Sequence, residues 1–344
     1  MNIFDTRTML GMVNQADFTP TTFLRDRYFA TVRTFDTAKV DVDIVDASGR
    51  KLAPFVNPKI GGKVVERHGY RTNTYEAPEV SPQMITTAED MLKSLPGEAL
   101  YSGMSPTERA AQQLGADLRE LDEIITRREE AMCAEALFTG KVTVKGDGYD
   151  DVIDFWGADE ANKPTTEITT KWSAADADII GDLRKIRRTV IQKSGVTPTE
   201  IICGSDVIDV LLKNTNVAAA LNTRRVDLGM IQIQDLPNGV TYYGNLGGLD
   251  IYGYDSWYLG TDGKEAPFVP AKQVLFASQA AKTTMAYGCV ALAGDDAVKF
   301  YAERRVPDSW VQRANPSGRV VQIKSRPLPI INQVHGFHVI TPLA

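Results

Sequence analysis

Residues 105–140 read SPTERAAQQLGADLRELDEIITRREEAMCAEALFTG. The first four form a capping box: Ser105 at the N-cap, Pro106 at the first helical position, and Glu108 reaching back to the cap. Leu114, Leu118, Leu121, Ile125 and Met132 then recur at helical spacing on one apolar stripe. Gly140 supplies the stop. The spacing predicts one helix over 105–138, roughly 50 Å long at 1.5 Å per residue. Few small domains need a helix of that length. A coiled coil is the alternative, weakened by about four heptads without clean a/d positions.

Upstream the chain changes character. KVDVDIVDASGR (39–50) alternates as a strand, with Val40, Val42 and Ile44 on one face. VNPKIGGKVVERHGYRTNTYEAPEVSPQM (56–84) holds strand-like pieces at Lys63–Arg67 and Arg71–Tyr75, broken by Gly61-Gly62 and Gly69 and flanked by Pro54, Pro58, Pro78 and Pro82. Its alternating positions are mostly polar, so residues 39–84 read as one long extended excursion with little of its own to bury. Residues 1–38 carry scattered apolar anchors (Phe18, Phe23, Leu24, Tyr28, Phe29, Phe35) and a short helix around Pro20–Ala30. They read as an arm lying on something else.

Downstream, KVTVKGDGYDDVIDFW (141–156) is a hairpin turning near Gly146-Asp147-Gly148, followed by a polar linker over 157–173. From about 175 the pattern is α/β. An amphipathic helix ends at Gly195, TEIICG (199–204) is a buried strand, and SDVIDVLLKN (205–214) is a helix capped by Ser205 or Asp206. Hairpins follow over 241–254 and 257–269, the second turning at Asp262-Gly263. Residues 273–278 and 319–343 are strand-rich.

Composition sets the class. The chain has 344 residues, 38 basic against 44 acidic, for a formal charge of -6. That excludes a whole-protein basic footprint for nucleic acid while leaving a local patch open. The longest apolar runs are far short of the ~18 residues of a membrane span. The N-terminus MNIFDTRTMLGMVNQADF lacks a basic region followed by an apolar one, so no signal peptide is expected. Cys133, Cys203 and Cys289 are too widely spaced for a zinc site and read as small buried hydrophobes in a reducing compartment.

No set of side chains assembles into a reaction centre. His335 and His338 share an HxxH spacing, but in a strand i and i+3 face opposite sides. GNLGG (244–248) lies between two strands and reads as hairpin turn chemistry. Ser205 stands where a nucleophile elbow would, yet GSDVI lacks the second glycine, and an N-cap role fits better. DGYDDVID (147–154) lacks the order of a calcium loop. The expectation is no catalytic residue, no cofactor and no metal.

The order of parts resembles the Hong Kong 97-type capsid fold. NPKIGGKVVERHGYRTNTYEAPEVSPQM (57–84), LNTRRVDLG (221–229), VLFASQAAKTTMAYGC (274–289), RRVPDSWV (304–311) and IKSRPLPIIN (323–332) sharpen the resemblance to the capsid protein E family of phage lambda and its relatives. The resemblance implies an α+β chain with an N-terminal arm (1–38), an extended loop (39–85), a peripheral domain (86–172) with the spine helix 105–138, and an axial domain (173–289). A return to the peripheral domain (290–325) and a C-terminal strand region packing on the axial domain (326–344) complete it. It implies a major capsid protein of a tailed bacteriophage or prophage, self-assembling through hexamers and pentamers into an icosahedral head around double-stranded DNA. That DNA would be held without sequence specificity. Scaffold, portal and decoration proteins would be the further partners, with assembly in the bacterial cytoplasm, residence in the virion and no membrane. An encapsulin-like nanocompartment and an α/β enzyme with an unrecognised site are the alternatives.

In that family the extended loop lies on the peripheral domain of the next subunit, which would supply the excursion's missing packing partner. The charges suggest how. Arg50, Lys51, Lys59, Lys63, Arg67 and Arg71 face a single acid, Glu66, whereas residues 146–162 carry Asp147, Asp150, Asp151, Asp154, Asp159 and Glu160 with no basic residue. The helix over 117–135 adds seven carboxylates against Arg119, Arg127 and Arg128. The expectation is a basic loop tip docking on Asp147, Asp150, Asp151 and Asp154 of a neighbour, against the plainer reading of both runs as solvated faces.

Overall fold

The computed structural model describes residues 6, 9–10, 13, 22–44, 52–57, 61–62, 64, 71–87, 89–90, 105–146, 149–157, 163–174, 177–214, 217, 229–293, 297–313 and 317–343. A five-residue helix, α1 (Leu24–Tyr28), stands in the arm, shorter than the Pro20–Ala30 span expected. The long helix α2 runs Pro106–Thr139 with its full capping box: Glu108 N–H donates to Ser105 Oγ, and the Glu108 carboxylate accepts from Ser105 N–H at 2.8 Å. It stops at Gly140, which is left-handed at φ 70°. A Cβ there would lie 2.0 Å from the Trp156 ring, so conformation and space both demand glycine.

The length of α2 has a cause in packing, because the helix belongs to two cores. Leu114, Leu118, Leu121 and Ile125 pack with Met9, Val13, Val321 and Ile323. Met132, Cys133, Ala136 and Leu137 pack with Leu24, Phe29, Val142, Ile153 and Tyr287. The first core is roofed by an antiparallel sheet of Val306–Gln312, Gly318–Lys324 and Gln83–Thr87. In the second, Val32–Thr34 runs parallel to Thr283–Tyr287, which pairs antiparallel with Pro327–Ile331. The hairpin Lys141–Gly146/Tyr149–Asp154 follows α2 directly, as expected.

A mixed seven-stranded sheet forms the third unit, in the order Thr165–Glu167, His338–Thr341, Val274–Ala277, Glu200–Cys203, Leu249–Tyr254, Val240–Leu246, Gly229–Leu236. Strand alternation splits its residues between two cores. Ile201, Cys203, Val274, Phe276 and Ile251 face α3 (Ile179–Ser194) and α4 (Ser205–Lys213). Ile202, Leu275, Ala277 and Tyr252 face the arm and the C-terminal half of α2.

Two local expectations change. The N-cap of α4 is Gly204, without a side-chain cap, and Ser205 opens the helix. A Cβ at Gly204 would sit 2.3 Å from the Pro270 carbonyl oxygen, so close backbone approach takes the position a capping serine would have held. His335 lies in a 3-10 turn, Val334–Gly336, ahead of the strand that starts at His338.

Candidate assembly interface

Strands Lys39–Ile44 and Arg71–Glu76 pair antiparallel as a two-stranded ribbon. Its base is anchored. Val40 is buried, Tyr75 meets Phe155 edge-on at 5.5 Å, and the Tyr75 hydroxyl donates to the Asp154 carbonyl at 3.1 Å. Beyond the base, large apolar side chains stand exposed among the described residues. Leu52 and Val64 are each 92% exposed and Phe55 is fully exposed. The strand expected at Lys63–Arg67 lies outside the described residues apart from Val64.

Beside the anchor, between α2 and the hairpin, runs a groove of about 340 Å³. Val80, Ala131, Met132, Val142, Val144 and Tyr258 form its apolar lining, with Glu79, Glu135, Arg128 and Lys145 at its sides.

The expected charge partners fare unequally. Arg50, Lys51, Lys59, Lys63, Arg67 and Asp147 lie outside the described residues. Arg71 is in the ribbon, opposite Ile44. Asp150 and Asp151 are exposed on the hairpin. Asp154 is already engaged: it accepts the Trp156 and Gly157 N–H groups at 2.9 and 3.0 Å and pairs with Lys141 at 3.6 Å. It shapes the turn into the linker. Pairing also sets Lys145 directly opposite Asp150 and Lys141 opposite Asp154. An acidic run in sequence is thus partly neutralised across the strands.

Four of the seven carboxylates of α2 over 117–135 turn inward, against both readings of them as surface. Asp117, Asp122, Glu129 and Glu130 are buried. Arg305 reaches Asp122 at 2.5 Å and Glu129 at 2.6 Å, and Arg25 reaches Glu129 at 3.3 Å. The Tyr287 hydroxyl donates to Glu129 at 3.0 Å. Burial alone would raise the Glu129 carboxyl; the guanidiniums of Arg305, Arg25 and Arg304 outweigh it and hold the group below its usual range. Glu130 is raised by its burial, although three backbone N–H groups oppose that. Those donors are Phe23, Leu24 and Arg25, at 2.8 to 3.0 Å, so Glu130 closes the open first turn of α1. From α1, Arg27 pairs with Glu200, donates to the Tyr252 hydroxyl and stacks 4.6 Å over its ring. One short helix thus ties α2 to the seven-stranded sheet. Sequence reasoning missed this clamp. The available signal was Asp122 and Glu129, seven residues apart and interleaved with Leu118, Ile125 and Met132 on the stripe.

Among the described residues no group of three His, Cys, Asp or Glu is placed to hold a metal. All three cysteines are buried and free. Burial pushes the Cys133 and Cys203 thiols far above the range in which they ionise. His338 is buried with Nε2 2.8 Å from Thr166 Oγ1. No described helix is long and apolar enough to cross a membrane.

With buried carboxylates inside α2 and Leu52, Phe55 and Val64 exposed beyond the ribbon, the architecture is that of Hong Kong 97-type shell proteins. The chain belongs to the phage major capsid protein E family, whose sequence profile matches residues 5–338. It is 25% identical to the major capsid protein of Escherichia phage lambda over 334 residues, 96% of each chain. It is also 25% identical to that of Enterobacteria phage P21 over 342 residues, 99% of each. The crystal structure of a prophage capsid protein from Escherichia coli CFT073 superposes with a TM-score of 0.71 at 19% identity, covering 99% of each chain, and carries the likeness of fold.

Proposed function

We propose that the chain assembles with copies of itself, as hexamers and pentamers, into the icosahedral head of a tailed phage or prophage enclosing double-stranded DNA. The observation that carries the proposal is the exposed apolar set Leu52, Phe55 and Val64 on the segment between the two ribbon strands. Burying such a side chain contributes about 1.5–3 kcal/mol, and the groove beside α2 on a neighbouring copy, where Val80, Ala131, Val144 and Tyr258 stand among polar groups, offers the place. Residues 1–38 then act as arm, 39–85 as extended loop, 86–172 and 290–325 as the peripheral unit, and 173–289 with 326–344 as the axial unit. The basic residues of the loop tip steer the approach toward Asp150 and Asp151, at ~0.2–1 kcal/mol per exposed pair. Scaffold, portal and decoration proteins are the further partners this role entails. DNA is enclosed without sequence reading, assembly occurs in the bacterial cytoplasm, and the chain ends in the virion.

Electron microscopy of the purified chain tests the reading directly. Closed particles are expected from the wild type, and folded small oligomers from Leu52→Asp/Phe55→Asp. Wild-type preparations that yield only small oligomers under every assembly condition would refute the shell role.

A further inference from the structure

Helices α3 and α4 cover the same face of the seven-stranded sheet and bury equivalent apolar stripes, Ile179, Leu183, Ile186 and Val190 in one, Val207, Ile208 and Leu211 in the other. Their outward faces differ in charge. α4 carries Asp206 and Asp209 against Lys213, and Lys213 pairs with Asp209 at 3.6 Å. α3 carries Arg184, Lys185, Arg187, Arg188 and Lys193 against a single acid, Asp182, in a chain whose formal charge is -6. Sheet packing asks nothing of these outward positions, so it does not explain the difference.

The basic residues of α3 are not equivalent. Arg187 turns back to the Gly247 carbonyl at 2.9 Å. Lys185 lines a depression with Glu167, Asp178 and Asp182, and Asp182 itself accepts from the Trp172 indole at 3.1 Å. Arg184 and Arg188 are exposed, one helical turn apart, and neither lies within ion-pair distance of a described carboxylate. Like charges four residues apart weaken a helix, so the pair works against α3 unless something anionic outside the chain meets it.

We infer that the outward face of α3, centred on Arg184 and Arg188, is a contact for the phosphate backbone of duplex DNA. The inference rests on the reading of the chain as a DNA-enclosing shell subunit, and assigns that contact to a surface. Positions 181, 184, 185, 188 and 192 make up the face, and they are Gly, Arg, Lys, Arg and Gln. No apolar or aromatic anchor stands among them. Interfaces between protein chains place such anchors at the centre and keep charge to the rim. A wholly polar, cationic face suits a phosphate array instead, which rewards charge and carries no sequence information. Guanidinium groups also match phosphate oxygens in a two-pronged geometry.

The test uses the unassembled full-length chain and a fluorescein-labelled duplex in anisotropy titrations across a salt series. Wild type is expected to bind weakly, with log K falling as log salt rises. Arg184→Gln/Arg188→Gln should reduce that slope by about 1.8, at about 0.9 per phosphate contact. Arg184→Lys/Arg188→Lys should retain the slope, and Lys213→Gln/Lys299→Gln should leave it unchanged. Circular dichroism melts establish that each variant is folded; if the glutamine pair melts early, the lysine pair and the single variants carry the comparison. An unchanged slope in the glutamine variant overturns the inference, as does absence of wild-type binding at low salt. Binding of polyglutamate in place of the duplex also overturns it and gives the face to an acidic protein. Micrographs of the same proteins taken separately to assembly conditions keep the two readings apart: closed particles without a slope change refute the DNA face alone, whereas no closed particles from wild type refute the shell.

Discussion

Helix α2 and the ribbon of Lys39–Ile44 and Arg71–Glu76 both run far beyond what a local core requires, and they treat polarity in opposite ways. Inside, α2 carries Asp122, Glu129 and Glu130, each held by guanidinium or backbone N–H groups. Beyond the ribbon, Leu52, Phe55 and Val64 face solvent. Apolar packing alone tolerates sliding, whereas a buried ion pair with named partners has one geometry. The polar interior of α2 therefore fixes how arm, helix and sheet sit in one subunit. In the proposed shell, the exposed apolar residues of the loop leave its geometry to a second subunit.

The strongest way to break this comparison is through the rigid side. Leu121→Pro removes a helix hydrogen bond and clashes one turn back, at ~3 kcal/mol or more, inside a fully buried stripe. Loss of soluble folded chain is expected, seen by circular dichroism. Glu129→Ala takes a shared partner from Arg25, Tyr287 and Arg305, leaving Arg305 only Asp122 as a counter-ion, and should cost about 3–5 kcal/mol in denaturant melts. Asp122→Leu/Glu129→Met/Arg305→Met should recover much of that loss, because it removes the three interacting buried charges together. A Glu129→Ala variant as stable as wild type would show that the clamp does not hold the subunit. The pH dependence has a definite sign. Glu129 is held below its usual range, so its contribution is complete above about pH 4.3 and fades as pH falls through the lowered value. Glu130 is raised, so its contribution is complete below that point and fades as pH rises through the raised value.

His338 gives a second and smaller perturbation of the interior. Burial holds the imidazole neutral, at a pKa lowered from 6.5 to about 4. A depressed value means stability present above 6.5 and lost as pH falls toward 4, on the order of 3 kcal/mol over the window at 1.36 kcal/mol per unit. Melting wild type and His338→Gln at pH 7 and pH 5 should show the larger drop in wild type. Equal drops would assign the acid lability elsewhere.

How much of this was legible in the sequence follows the range of each interaction. The capping box at Ser105, the stop at Gly140 and the hairpin turns at Gly146 and Asp262-Gly263 were legible because local chemistry decides them. The strand Gly229–Leu236 was not, and neither was the pairing of Gln83–Thr87 with Gly318–Lys324. Such partners are chosen by packing, and no local period encodes them. The carboxylates of α2 were read as surface because charge runs usually are; only the position of Arg305 in space turns Asp122 and Glu129 into interior groups.

The exterior side is sharpened by Phe55→Asp. It should leave the subunit's melting unchanged, since the side chain is fully exposed, and should weaken assembly by about 1.5–3 kcal/mol per contact. Light scattering across a concentration series reads this as a raised critical concentration for particles. A melting temperature that falls with assembly intact would place Phe55 in its own subunit's core instead.

The smallest expected effect separates the apolar loop from its charges. Docking of a basic loop tip on Asp150, Asp151 and Asp154, taken by itself, would have reversal of Lys59, Lys63 and Arg67 to Glu block assembly, and Asp150→Lys/Asp151→Lys/Asp154→Lys restore it in part. Asp154 binds its own turn and Lys141, and Lys145 stands opposite Asp150, so the acidic strand has less charge to offer than its sequence suggests. Asp150→Lys/Asp151→Lys should therefore leave the fold intact and weaken assembly by ~1 kcal/mol or less per contact, an effect that vanishes as salt screens it. Asp154→Lys should act on the other side of the comparison, lowering the melting temperature before any shell contact is formed. If the first pair abolishes particles at high salt while Phe55→Asp is tolerated, charge rather than apolar burial seats the loop, and the contrast between a polar interior and an apolar exterior no longer describes how neighbouring subunits meet.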